Sequence, residues 1–110
     1  MRRVVITGLG LVSPLGCGVE HSWQNVLLGQ SGCGLITKFD TTNFSTKYAC
    51  EIPFGDGVGQ FKPSDWMDEK DRRKVDDFIL YGIAASKEAL EDSDWRPSGN
   101  ESFRTGVMIG

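Results

Sequence analysis

Three kinds of residue in this chain could do chemistry: a glycine pair after an apolar run, three cysteines with one histidine, and a dense run of charge. Gly8-x-Gly10 follows Arg3-Val4-Val5-Ile6-Thr7 directly, which is how a dinucleotide-binding turn begins. Such a turn needs a third glycine opening a helix, so that a pyrophosphate meets free backbone N–H groups. Here the third position is Ser13, Pro14 follows it, and no acidic residue closes a second strand at the required distance. The reading favoured is a structural turn that lets strand and loop pack tightly. Cys50 lies in Tyr48-Ala49-Cys50-Glu51 without the histidine or helix N-terminus that activates a nucleophilic thiol, and Glu51 beside it disfavours the thiolate. It reads as a small buried or half-buried strand residue. Cys17 and Cys33 sit in glycine-rich loops. His21, the single histidine, is placed at the surface near a helix start, and one histidine supplies neither a multi-histidine metal site nor a catalytic set. Asp68-Glu69-Lys70-Asp71-Arg72-Arg73-Lys74 carries four cations on what reads as the first turns of a helix, where they oppose the dipole unless nearby acids offset them. By spacing alone this is a solvated, mixed-charge face with i, i+4 pairs. Its functional alternative is a landing site for an acidic partner.

The bulk numbers narrow the classes. Twelve Lys+Arg against fifteen Asp+Glu give a net charge of −3, whereas a nucleic-acid binder carries a basic excess. No apolar run is long enough to cross a bilayer. The opening Met1-Arg2-Arg3 and its apolar sequel are interrupted by Gly8, Gly10 and Pro14, unlike a cleaved leader. Three cysteines without a C-x-x-C pair argue against a disulfide framework or a zinc site and favour a reducing cytoplasm. One domain is expected from 110 residues.

These residues must be positioned by a small set of elements. Arg3–Leu9, β-branched without alternation, predicts a strand buried on both faces. A helix is predicted from about Val19 to Leu28, with Val19, Trp23, Val26 and Leu27 as its apolar face and Gly29 ending it in a left-handed conformation. Residues 30–63 read as irregular, with a short strand at 46–52 ended by Pro53 and the following glycines; so long a stretch marks a functional surface. A long helix is predicted from about Glu69 to Glu91, N-capped by Asp68 and stopped by Asp92-Ser93-Asp94 and Pro97. Gly82, Ala85 and Ala89 keep one side of it thin, so a neighbour can approach closely. Thr105–Gly110 predicts a second buried strand. The order implies an α/β fold with a partly parallel sheet, and two such strands alone make no stable sheet. The expectation is a truncated piece that is marginal, swapped or aggregation-prone by itself.

Taken together these segments resemble the start of the β-ketoacyl-[acyl-carrier-protein] synthases, nearest the synthase II type. The resemblance is carried by R-R-V-V-I-T-G-L-G-L-V-S-P-L-G at 2–16, W-Q-N-V-L-L-G-Q-S-G at 23–32 and F-D-T-T at 39–42. It continues through T-K-Y-A-C-E-I at 46–52, R-R-K-V-D-D-F-I-L-Y-G-I-A-A-S at 72–86 and R-T-G-V-M-I-G at 104–110. It implies that residues 1–110 are the N-terminal, incomplete first half of a thiolase-like layered α/β fold, in an enzyme that works as a homodimer in the cytoplasm. The implied reaction of fatty-acid biosynthesis joins an acyl group held on a cysteine to malonyl carrier protein and releases carbon dioxide. The implied partner is acyl carrier protein with its phosphopantetheine-linked acyl and malonyl groups; no cofactor, metal, nucleic acid or membrane is implied. The reactive cysteine belongs to a later Ala-Cys-Ser/Thr turn and two histidines to later segments, so no catalytic residue carries over; Cys50, followed by Glu51, does not match. What carries over is a basic motif: by this resemblance Lys70, Arg73 and Lys74, with Arg72 beside them, contact the acidic carrier protein.

Two further classes stay open on sequence. A nucleotide-dependent oxidoreductase would use Gly8-x-Gly10 and bind a nicotinamide cofactor. A non-catalytic carrier-protein-binding module, or a synthase-like subunit without the cysteine, would share this N-terminal segment.

Overall fold

The computed structural model describes residues 1–110. Two short antiparallel ladders and two principal helices make up its regular structure. β1 (Val12–Ser13) pairs with β2 (Gly16–Cys17) across a tight loop, and α1 (Val19–Leu27) follows. β3 (Cys33–Leu35) pairs with β4 (Tyr48–Cys50) in the register Cys33↔Cys50, Gly34↔Ala49, Leu35↔Tyr48. A short 3₁₀ turn at Pro63–Asp65 leads to α2 (Glu69–Arg72), then α3 (Asp77–Ser93), and a second 3₁₀ segment spans Gly99–Arg104. No helix is long and apolar enough to cross a membrane.

α1 keeps the predicted bounds, and Gly29 adopts the left-handed φ of 66° that terminates it. The inward face is polar: the Ser22 hydroxyl donates to the Gly16 carbonyl at 3.0 Å, and the Asn25 amide donates to the Leu15 carbonyl at 2.7 Å. These bonds tie α1 to the backbone of the β1–β2 hairpin. Trp23, Val26 and Leu27 are exposed; with Leu9, Leu11 and Leu15 the first two line an open apolar groove of about 480 Å³.

The expected helix over 69–91 is two helices. α2 ends at Arg72, and α3 begins after Asp76, whose extended backbone (φ −79°, ψ 156°) makes it the N-cap of the second helix. Neither Asp68 nor Asp76 makes a side-chain capping bond. α3 ends as expected, at Ser93, where Asp94 turns left-handed at φ 48°.

The chain before β1 lies along α3, held by side-chain acceptors in place of a strand partner. Leu9 N–H donates to Asp92 Oδ2 at 2.9 Å, Leu11 N–H to Glu88 Oε2 at 2.8 Å, and Val19 N–H to Glu88 Oε1 at 2.7 Å. This approach is why residues 8 and 10 are glycine. A Cβ at Gly10 would lie 1.8 Å from the Ala85 carbonyl oxygen, and one at Gly8 would lie 2.2 Å from that of Ala89. The thin face predicted at Ala85 and Ala89 is therefore used. Gly82 meets nothing within 4 Å.

The enclosed core is small. Phe61, Leu80 and Ala84 are buried, with Ile52, Trp66, Met67 and Tyr81 packed against them. Phe54, Phe61 and Tyr81 meet edge to face, with centroids 5.1 to 6.2 Å apart, the arrangement aromatic quadrupoles favour. Burial, and then the nearby Asp77 carboxylate, push the Tyr81 phenol pKa up. The radius of gyration is 17.1 Å, against about 13 Å for a compact chain of this length.

Neither run expected to be a buried strand forms a ladder. Arg3–Leu9 and Thr105–Gly110 have no backbone pairing, and Val4, Val5, Ile6, Val107, Met108 and Ile109 are exposed. The parallel pairing present is one isolated bridge, Phe54↔Phe61. β-branched composition suits a pleated ladder, yet a strand exists only where another strand supplies the opposing N–H and C=O groups.

Two outcomes test this packing. On this 110-residue chain, Gly10→Ala should lower far-UV helicity, since seating the methyl costs about 1–3 kcal/mol in displaced backbone. Gly82→Ala should raise it, by the propensity difference of about 1 kcal/mol between glycine and alanine in a helix interior. The Glu51 carboxylate accepts from the Thr37 hydroxyl at 2.7 Å and from the Thr37 and Lys38 amides. Those bonds, the hydroxyl's foremost, lower its pKa. The stability they contribute is thus present above the ordinary glutamate pKa of about 4.3 and lost as pH falls through the lower folded value. An NMR titration of the Thr37 amide should show a midpoint below that ordinary value, and Glu51→Gln should abolish it.

Candidate functional site

The four cations of the charge run fall on one exposed turn. Lys70 and Arg72 belong to α2, Arg73 caps its C-terminus, and Lys74 lies in the link to α3. They were expected to oppose the dipole of a long helix at its N-terminus; α2 is a single turn, so few aligned peptides are there to build such a dipole. α2 ends here because Val75 turns inward, where it is partly buried, and Asp76 opens a new helix.

Two of the four are already paired. Arg73 Nη2 lies 2.6 Å from Glu69 Oε1, the i, i+4 contact expected of such a run, and Lys74 Nζ lies 2.8 Å from Asp71 Oδ1. All four of these side chains are at least 60 % exposed, so each pair contributes little, about 0.2–1 kcal/mol. Their carboxylates can be exchanged for those of a partner. Lys70 and Arg72 make no ion pair, and neither does Asp68 beside them, so the run keeps an excess of one positive charge. Arg72 also lines a shallow cleft with Lys62 and Phe61. Lys62, 2.9 Å from Asp56, has its pKa raised chiefly by that hydrogen bond and charge. Sequence reading missed Lys62, which lies outside the charge run and is brought beside it by the 3₁₀ turn at Pro63–Asp65.

The glycine pair is spoken for. The Leu9 and Leu11 N–H groups that a phosphate would need are engaged by Asp92 and Glu88, and two carboxylates at that position repel an anion. Cys50 is at the exposed end of β4, not buried as expected. His21 is half-buried, not at the surface: its ring lies under Gly16 and Gly59, and Nε2 sits 3.2 Å from Asn25 Nδ2. His21 makes no hydrogen bond to a cysteine; its partner is Asn25. Burial, then Glu88 and Asp65, push the Cys17 thiol up, which disfavours its thiolate.

The largest cleft, about 810 Å³, opens between the β3–β4 ladder and the start of α3. Its charges are matched internally. Glu51 is held by Thr37, and Lys38 lies 3.7 Å from Asp77 and 5.2 Å from the centre of the Phe54 ring. No cluster of three His, Cys, Asp or Glu side chains could hold a metal ion. The arrangement offers an exposed cationic surface and no paired nucleophile and base.

Known proteins place this geometry. The family described as the β-ketoacyl synthase N-terminal domain matches residues 1–110. A 3-oxoacyl-[acyl-carrier-protein] synthase 2 from Rhizobium meliloti is 52% identical over 112 aligned residues, covering 100% of this chain and 27% of the relative. The synthase 2 of Vibrio cholerae is 50% identical over 109 residues, covering 99% of this chain and 25% of the relative. Among solved structures, the ishigamide ketosynthase/chain length factor superimposes with a TM-score of 0.72 at 35% identity, over 86% of this chain and 22% of that one. The chain thus spans about a quarter of the length of the curated relatives it matches. With the family matched from the first residue to the last, and a ketosynthase backbone reproduced at that similarity, the chain belongs to the β-ketoacyl synthases, in the N-terminal part of their thiolase-like fold.

Proposed function

We propose that this chain is the N-terminal portion of the ketosynthase domain of a β-ketoacyl-[acyl-carrier-protein] synthase of the synthase 2 type. The whole enzyme elongates acyl chains in fatty-acid biosynthesis: an acyl group on an enzyme cysteine is condensed with malonyl carrier protein, and carbon dioxide leaves. It works as a cytoplasmic homodimer and needs no nucleotide. The observation that carries this reading is 52% identity to a synthase 2 across the whole of this chain.

Within that enzyme these residues contribute a docking surface. Lys70, Arg72, Arg73 and Lys74 receive the acidic face of the carrier protein, with Lys62 at the edge of the same surface. Exposed complementary charge speeds encounter and sets orientation more than it deepens affinity. That suits a partner that must arrive loaded and leave unloaded in every cycle.

A second reading rests on the solved relative, a ketosynthase paired with a chain length factor. A synthase-like subunit without the reactive cysteine would share this segment. The two differ at the later Ala-Cys-Ser/Thr turn: cysteine there makes a condensing enzyme, and another residue makes a non-catalytic partner.

The docking surface is tested in the intact enzyme by charge reversal. Lys70→Glu and Arg72→Glu should each weaken carrier-protein binding at low salt by about 0.5–1 kcal/mol, roughly two- to fivefold. Arg73→Glu and Lys74→Glu should act in the same direction, and the deficit should shrink as salt rises. Arg96→Glu, beyond the opposite end of α3, should leave affinity unchanged. Equal affinity for all five proteins across the salt range would remove the basic turn from the interface.

A further inference from the structure

Cys33 and Cys50 stand directly opposite each other in the β3–β4 ladder. The phase of the ladder follows from its continuation, where the Ile36 N–H donates to the Lys47 carbonyl at 2.9 Å. That makes 36/47 a hydrogen-bonded pair. Antiparallel pairs alternate, so 35/48 is non-hydrogen-bonded, 34/49 hydrogen-bonded, and 33/50 non-hydrogen-bonded. Opposed residues of the last kind bring their Cα atoms to about 4.5 Å, inside the window of about 4.4–6.8 Å that a disulfide spans. Their side chains also leave the same face of the ladder. Both thiols are free, and both residues are exposed.

We propose that Cys33 and Cys50 are a redox pair that closes into a reversible cross-strand disulfide when the protein meets a low-molecular-weight disulfide such as oxidised glutathione. The thiolate of one cysteine attacks a sulfur of the small disulfide, forming a mixed disulfide and releasing one small thiol. The opposed cysteine then attacks the protein-side sulfur, forming the Cys33–Cys50 bond and releasing the second small thiol. Two protein thiols are oxidised, one small disulfide is reduced, and the two protons leave on its products. The register need not shift for the bond to form, so the ladder survives oxidation and reduction alike.

The bond encloses residues 34–49, which beyond the ladder are attached by Glu51 to Thr37 and by Lys38 to Asp77 and the Phe54 ring, while the Lys47 ammonium bonds within the segment to the carbonyls of Thr41 and Thr42. The third cysteine is a poor competitor, being half-buried in β2 with its thiol pushed up by burial. In a reducing compartment such a bond is transient and responsive instead of structural. This inference is independent of the docking surface on α2.

The test uses the intact protein incubated with oxidised glutathione, acid-quenched, alkylated, digested and read by mass spectrometry. The peptides bearing Cys33 and Cys50 should appear joined, lighter by two hydrogens, while Cys17 stays alkylated; dithiothreitol should reverse the link. Cys33→Ser should leave Cys50 as a glutathione mixed disulfide, and Cys50→Ser the converse. Cleavage of the 36–47 segment by a protease should slow on oxidation in the wild type and not in either variant. Recovery of Cys33 and Cys50 on separate alkylated or glutathionylated peptides, or a bond from either to Cys17, would overturn the proposal.

Discussion

Glu88, on α3, accepts from the Leu11 N–H with one oxygen and from the Val19 N–H with the other, at 2.8 and 2.7 Å. The first bond fixes the segment that enters β1, and the second satisfies an amide at the start of α1 that no earlier carbonyl reaches. A single side chain therefore ties the N-terminal segment and the first helix to the last one. Asp92, one turn on, extends the clasp to Leu9. Hydrogen bonds to charged acceptors are worth about 1.5–3 kcal/mol each, which matters in a chain whose enclosed apolar core is Phe61, Leu80 and Ala84. The clasp also dictates sequence at a distance, because it draws residues 8 and 10 so close to the carbonyls of Ala85 and Ala89 that no Cβ fits.

The same clasp decides what the glycine pair is for. A phosphate cradle and a carboxylate clasp need the same thing, backbone N–H groups presented by a glycine-permitted bend. Here the acceptors are built into the chain as Asp92 and Glu88. No vacancy remains for an anion, and the negative charge of the clasp opposes one. The motif is shared with nucleotide sites, and its use is the reverse.

What could be read from sequence divides along physical lines. Local signals were legible: the bounds of α1 from apolar spacing and Gly29, the end of α3 from Asp92-Ser93-Asp94, the strand at 48–50, and the thin face at Ala85 and Ala89. Signals that depend on a partner were not. Apolar spacing located α1 and its apolar face, but not the polar face on which Ser22 and Asn25 reach the carbonyls of Gly16 and Leu15, which periodicity does not see. Arg3–Leu9 and Thr105–Gly110 have strand composition, yet within these residues no strand lies beside them. β3 was missed because Gly34 and Cys33 have little strand propensity and gain their ladder from β4. The break between α2 and α3 had a visible signal, a second acidic cap at Asp76-Asp77 before Phe78 and Ile79, obscured by the continuous helix-forming run ahead of it. As for the candidate site, the basic turn was singled out through family resemblance, since spacing alone favoured a solvated face. Lys62 joins it only through a turn that no linear motif records.

The break between the two helices also shapes the proposed docking surface. In one continuous helix, Lys70, Arg73 and Lys74, at i, i+3 and i+4, would share one face with Arg72 turned away from it. Ending α2 at Arg72 puts Arg73 at its C-cap and Lys74 in the link to α3, so the four no longer follow one helical repeat. The ion pairs to Glu69 and Asp71 hold two of them in place without removing them from solvent. An arriving acidic surface would then meet two free cations at once, Lys70 and Arg72. It could recruit the other two by exchanging one carboxylate for another, at little electrostatic cost in water. A surface arranged so attracts quickly and releases easily, and that is the behaviour a shuttling carrier requires of its docking site.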